Sequence, residues 1–314
     1  MSGRGLWRGL AAAGVAGLIA MTAIAQVSSA QVSSDTEFED RWVTGNLFFL
    51  AYHEVGHLLL DQIGRLDQRN NRLAAEETAD DIATWLISPE PGEDVDTSPA
   101  VSAIGGWLEL ADADRDGQTD AADMPDIDLY PDAETRAARI ACLLIGSDTS
   151  RAREFAALRP IASLRFNPAS CAGAYRELDQ RMEGLFGDSG EVGENPVARV
   201  RVQYDQAGPA LAEARSFLIA SDVLSVLRED LVSNIGLPVD VVLRGATCGD
   251  SSPGFVYRPE RREILACYEE VDRFLFGEPL ASQAGPAPAL RDGLGARPRR
   301  IAPRPPPPPP GVRR

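Results

Sequence analysis

Only two histidines occur in the 314 residues, and they stand four apart, His53 and His57, with Glu54 beside the first. They lie within the apolar run Phe48-Phe49-Leu50-Ala51-Tyr52-His53-Glu54-Val55-Gly56-His57-Leu58-Leu59-Leu60, which reads as a buried helix. Residues four apart on a helix sit one turn above each other, so both imidazoles can reach one ion. The pattern His-Glu-x-x-His also sets the carboxylate close enough to hold a water on that ion. Zinc lowers the pKa of such a water toward neutrality, and Glu54 is the general base placed to take its proton. Apolar helices seldom bury two imidazoles and a carboxylate without partners. The pattern therefore points to a metal site rather than to incidental residues.

A catalytic zinc takes three protein ligands and keeps a fourth position open for water. No histidine remains, so the third ligand must be a carboxylate or a tyrosine. The active-site helix is expected over about 39–63, stopped by Gly64. A second helix follows over Leu73–Ile87 and is closed by Pro89. Its apolar stripe is Ala75, Ala79, Ile82 and Leu86, and its other face carries Glu76, Glu77, Asp80 and Asp81. A carboxylate run on a helix is ordinarily a solvated face. Here Glu77 lies twenty residues after His57, with Asp81 one turn further. That spacing resembles the thermolysin-like gluzincins. The resemblance implies Glu77 as third ligand and Asp81 as the residue that hydrogen-bonds and orients His53 or His57. The register one residue earlier, Glu76 with Asp80, is the open alternative.

The likeness extends further. Residues Ala51 to Ala83, with His-Glu-x-Gly-His, the Glu76-Glu77 pair and Asp81, resemble a bacterial family of metallopeptidase-like proteins. Other pieces of that family's pattern appear as Leu237-Pro238, Cys248-Gly249, Phe255-Val256-Tyr257-Arg258-Pro259 and Cys267-Tyr268-Glu269, together with Gly146-Ser147-Asp148 and Cys171. In the family the Leu-Pro to Cys-Tyr-Glu segment precedes the zinc helix. Here it follows, which implies a permuted order. In zincins a sheet covers the active-site helix and its edge strand takes the substrate backbone by strand addition. Too few residues precede this helix to build one. The strand signals at Val239–Leu243 and Glu263–Cys267, with a turn at Arg258–Arg261, are therefore expected to fold back over it. An oxyanion donor is also needed, and Tyr257, Tyr268 or an arginine must supply it.

Composition narrows the partners. The formal charge is −16, which argues against nucleic acid, since phosphate binding needs a basic surface. All 31 basic residues are arginine. Residues 1–30 read as a signal peptide: Arg4 and Arg8, an apolar run from Leu10 to Ala25, then Ser28-Ser29-Ala30 for a signal peptidase. Export follows, to the periplasm or outside, with membrane contact expected only if that segment stays uncleaved. Four cysteines allow three connectivities. The local pairs Cys142–Cys171 and Cys248–Cys267 are favoured because each joins neighbouring elements, and no C-x-x-C spacing supports thiolate ligation. Residues 281–314, rich in Pro and Arg, read as a polyproline II tail without a core.

Asp112, Asp114, Asp116, Asp120 and Asp123, with Gly117 at the sixth place, fit a calcium loop of modest affinity. Aspartate at the twelfth place, where glutamate is usual, weakens the fit. An Asp-rich surface turn is the alternative.

The fold expected is α+β and predominantly α-helical, a zincin-like active-site helix pair packed against a small β-sheet. The catalytic domain spans 31–280, with a zinc-site helical part over 31–190 and a helix plus small sheet over 197–280. The function expected is zinc-dependent hydrolysis of peptide bonds in a peptide or protein substrate. A catalytically inactive zinc-bound scaffold of the cell envelope is the alternative, as is a membrane-tethered protein that acts through its Pro-rich tail.

Overall fold

The apolar run around the two histidines is a helix, α1 (40–62), in which every residue from 51 to 60 is buried. A helix apolar on all sides belongs at the centre of a fold, and this one does. The computed structural model describes residues 40–62, 72–89, 96–115, 132–186, 199–235, 237, 239–249 and 254–276. The chain divides into two compact units, Met1–Trp42 and Val43–Arg314. Of the first, only the helical residues 40–42 are described, and all other described residues belong to the second. The expected signal peptide and Pro-rich tail lie outside the described residues. Among the described residues no helix is long and apolar enough to cross a membrane.

The helical part adds α2 (Arg72–Ile87), α3 (Ser98–Arg115), α4 (Ala133–Ser147), α5 (Ala152–Ala157), α6 (Arg159–Ala162) and α7 (Pro168–Phe186). Asp132 caps α4 by accepting from the Thr135 N–H at 2.8 Å. Glycine lets two of the helix contacts close. A Cβ on Gly56 would lie 2.7 Å from the Cα of Ala79, so α1 and α2 touch backbone to backbone between the two histidines. A Cβ on Gly146 would lie 2.2 Å from the carbonyl oxygen of Cys171, where the disulfide Cys142–Cys171 joins α4 to α7.

The α3 helix corrects the sequence reading in part. It runs through Arg115, so Asp112 and Asp114 stand on its last turn rather than on a loop. Asp116, Asp120 and Asp123 of the expected calcium loop lie outside the described residues.

The second part is a four-stranded sheet in the order β1-β2-β4-β3. Its strands are β1 (Val200–Tyr204), β2 (Val241–Ala246), β3 (Phe255–Arg258) and β4 (Glu263–Cys267). β1 pairs β2 in parallel, with Val200 opposite Val241, and β2 pairs β4 in parallel, with Val242 opposite Glu263. The first parallel step needs a crossover, supplied by α8 (Ala212–Ala220) and α9 (Val223–Asp230). The break between these helices is at Asp222, whose φ is 54°. β3 returns antiparallel on β4, with Tyr257 opposite Ile264, and forms one edge of the sheet. β4 is buried along its whole length, and α10 (Tyr268–Phe276) follows it directly.

The segments that carry Cys248-Gly249 and Cys267-Tyr268-Glu269 pack against one another. Cys248 is disulfide-bonded to Cys267, and the Glu269 carboxylate accepts from the backbone N–H groups of Cys248 and Gly249 at 3.0 and 2.8 Å. Both cysteine pairs are the local ones. Two disulfides fit an oxidising environment outside the cytosol. Among the described residues the architecture is a predominantly helical α+β fold with one small sheet.

Candidate metal centre

α1 and α2 bring three ligand-type atoms to one point. His53 Nε2 lies 3.2 Å from His57 Nε2 and 3.0 Å from Glu76 Oε2, and His57 Nε2 lies 3.3 Å from the same oxygen. All three residues are buried, and together they form a group able to hold a metal ion. The distances test the fit. Bonds of about 2.0–2.2 Å to a tetrahedral zinc put its ligand atoms about 3.3–3.5 Å apart, and these edges fall within a few tenths of that. Two nitrogens and one oxygen are a donor set that also suits a three-ligand zinc site.

The third member of the group is Glu76, and this corrects the assignment of Glu77. Glu77 is exposed, whereas Glu76 is buried against both imidazoles. The reason is helical phase at about 100° per residue. Ala79 is the residue of α2 that meets Gly56 of α1. Measured from Ala79, Glu76 lies about 60° round the helix and Asp80 about 100°, while Glu77 and Asp81 lie about 160° away on either side. Glu76 and Asp80 therefore share the flank that faces the histidines.

Asp81 is corrected on the same ground. It is buried but touches no histidine. Its Oδ1 accepts from Arg139 Nε at 2.6 Å, its Oδ2 from Arg139 at 2.7 Å, and Arg181 also donates to Oδ2. The residue that meets His53 is Asp80, with Oδ1 2.8 Å from Nδ1. Behind it Arg136, from the first turn of α4, donates through Nε to Oδ2 and through its terminal nitrogen to Oδ1, both at 2.7 Å. The Arg136 guanidinium lies 3.7 Å over the Trp107 ring. Sequence reading missed Arg136 and Trp107, because no spacing links either to the histidine motif.

Glu54 receives its partner from the far end of the chain. The backbone N–H of Tyr257, on β3, donates to Glu54 Oε2 at 2.5 Å. The sequence reading expected the strands near Val241 and Leu265 to lie against this helix; the contact to Glu54 is made instead by β3, which it did not read as a strand. Burial raises the Glu54 pKa, while the two imidazoles and the Tyr257 N–H pull it back. Burial alone would lower His53, but hydrogen bonds to Asp80 and Glu76 outweigh it and lift the imidazole to about 10. Glu76 is held below the usual carboxylate range: burial raises it, and the two histidines more than reverse that.

Neither tyrosine expected as oxyanion donor points at the group. The Tyr257 hydroxyl donates to Asp61 at 2.8 Å, and the Tyr268 hydroxyl lies 2.8 and 2.9 Å from the carbonyls of Asp205 and Gly245. Tyr52, next to His53, donates to Asp230 and so ties α1 to the end of α9. His57 Nδ1 is buried without a hydrogen-bond partner among the described residues.

No curated protein and no solved structure matches the chain. One family does match, over residues 18–185, a stretch from ahead of α1 to the last turn of α7 that includes His53, Glu54, His57, Glu76 and Asp80. The match stops short of the sheet, so it does not reach the segment expected to be permuted. It covers more than half of the 314 residues, and the chain belongs to that family, which is described as "Putative metallopeptidase".

Proposed function

We propose that this chain is an exported, zinc-dependent metallopeptidase of gluzincin type, with His53, His57 and Glu76 as ligands and Glu54 as general base. The observation that carries the reading is the convergence of the two Nε2 atoms and Glu76 Oε2 within 3.3 Å of one another in a buried site. Zinc in that position supplies Lewis-acid polarisation of the scissile carbonyl and of the attacking water. Glu54 has one carboxylate oxygen on the Tyr257 N–H, which leaves the other to accept the water's proton and pass it to the leaving amine. Asp80 accepts at His53 Nδ1 and so leaves Nε2 free for the ion.

Edge strand β3 supplies a place for the substrate. The Tyr257 N–H is turned away from β4 toward Glu54, and Phe255, two residues before it, has the same sense. An extended peptide laid along this edge by strand addition would pass beside the base. The two disulfides support an exported protein.

Metal analysis of the purified chain, with peptide hydrolysis measured before and after chelation, tests the reading. One zinc per chain and hydrolysis abolished by chelation are expected. Glu54→Gln should keep the zinc and lose roughly 10²–10⁴-fold in rate. Hydrolysis that survives either treatment would sink the mechanism.

A further inference from the structure

A zinc centre needs more than ligands, because a ligand histidine must be held in one orientation. We infer that Arg136, backed by Trp107, is a positioning residue of the metal centre that acts through Asp80 on His53. The inference rests on the reading of His53, His57 and Glu76 as a zinc site.

The geometry is closed on every side of the Asp80 carboxylate. Oδ2 is taken by Arg136 Nε, and Oδ1 is shared between the Arg136 terminal nitrogen and His53 Nδ1. The carboxylate cannot turn about its last bond without breaking at least one of these. Its plane is set by the planar guanidinium fork, a constraint that an ammonium cannot impose. The fork is itself clamped. Trp107 lies against its face, and the backbone of Arg136 is fixed in the first turn of α4, which Asp132 caps. The imidazole of His53 is thus oriented through a chain running from α3 and α4 through α2 to α1.

Burial separates this arginine from its neighbours. The Arg136 side chain is 7 % exposed, whereas Arg139 and Arg181, which hold Asp81, are each 47 % exposed. Taking a guanidinium out of water is costly, and an apolar side chain often serves a core as well. A buried arginine therefore points to a demand for its charge and its fork. Charge supplies the first part: Glu54, Glu76 and Asp80 are three buried carboxylates in one neighbourhood, which a divalent ion and one guanidinium balance.

The test measures zinc affinity by chelator competition, and the melting temperature of the metal-stripped chain, for the full-length protein and four variants. The variants are Arg136→Met, Arg136→Lys, Asp80→Asn and Arg136→Met with Asp80→Asn. Arg136→Met should weaken zinc binding about 10–100-fold, the range seen when a group behind a ligand is removed. Arg136→Lys, which keeps the charge and loses the fork, should fall between that and the wild type. In the Asp80→Asn background, Arg136→Met should change zinc affinity by less than about twofold, because the route to His53 is already cut. A purely structural role would lower the melting temperature in both backgrounds and leave zinc affinity alone. Wild-type affinity in Arg136→Met would overturn the inference, as would an effect that adds to that of Asp80→Asn. If Arg136→Met does not fold, Arg136→Lys decides alone, and wild-type affinity there would overturn it. A wild-type chain that takes up no zinc would overturn the reading of the site and this inference with it. The wild-type titration thus separates the two failures.

Discussion

Asp80 and Asp81 are neighbours on one helix, both buried and both held by arginine, yet they belong to different parts of the protein. Asp80 faces α1, meets His53 Nδ1 at 2.8 Å and is held by the buried Arg136. Asp81 faces the other way and pins α2 to α4 and α7 through two half-exposed arginines. One residue of helical phase converts an orienting group into a brace. The chemistry of the two carboxylates is the same, so what separates them is the neighbour that the phase selects.

The largest effect expected from breaking this comparison concerns the glutamates one turn earlier. Glu76→Ala should abolish zinc binding at micromolar metal, whereas Glu77→Ala should leave affinity within about twofold of wild type, since the exposed Glu77 lies on the Asp81 flank. Chelator competition measures both. The reverse result would mean that α2 is rotated from the position described.

Gly56→Ala attacks the contact that sets the phase. The new Cβ would lie 2.7 Å from the Cα and 2.9 Å from the carbonyl oxygen of Ala79. Backbone cannot yield as a flexible side chain does, so α2 must shift, at about 1–3 kcal/mol. Thermal unfolding should show that loss, and zinc affinity should fall with it because Glu76 and Asp80 ride on the same helix. A stable variant with intact affinity would show that the close approach is not what sets the register.

Asparagine at the two aspartates gives the most direct contrast. Asp80→Asn takes away the carboxylate charge that faces the buried Arg136 guanidinium and should cost about 3–5 kcal/mol together with 10–100-fold in zinc affinity. Asp81→Asn should cost about 1 kcal/mol, because half-exposed arginines can turn to water, with zinc affinity unchanged. Equal effects on the metal would remove the distinction.

The smallest effect is on pH dependence. In the metal-stripped chain the His53 imidazole, held between Asp80 and Glu76, is raised to about 10 from an ordinary value near 6.5. A group raised by folding contributes stability that is present in full below the unfolded value and lost as pH rises through the folded one. The melting temperature of metal-stripped protein should therefore fall between pH 6.5 and 10, and that of zinc-loaded protein should fall less. Equal slopes for the two forms would refute the placement of His53 between two carboxylates.

The residues proposed to do the chemistry were largely legible in the chain. His53, Glu54 and His57 are identified by a four-residue spacing, because a helix turns that spacing into proximity without help from anything distant. The second helix, its carboxylates and the local disulfide pairs follow from the same short-range logic. The strands β1 and β3 were not read from the sequence. Both are edge strands: β1 does alternate, Val200, Val202 and Tyr204 against Arg201 and Gln203, and that signal was passed over, whereas β3 has only four residues and no alternation of apolar with polar types.

Tertiary structure alone decided which carboxylate joins the histidines. Glu76 and Glu77 differ by one position in a run of acids, and either register keeps an acidic pair four apart. The choice was made by Gly56 meeting Ala79, a contact between two helices that no single-helix periodicity contains. The same holds for Tyr257 on Glu54, 203 positions away, and for Arg136 on Asp80, 56 away. A side chain's type and local spacing say what it can bind. Which partner it meets depends on how helices and strands close on one another, where a rotation of about 100° is a change of function.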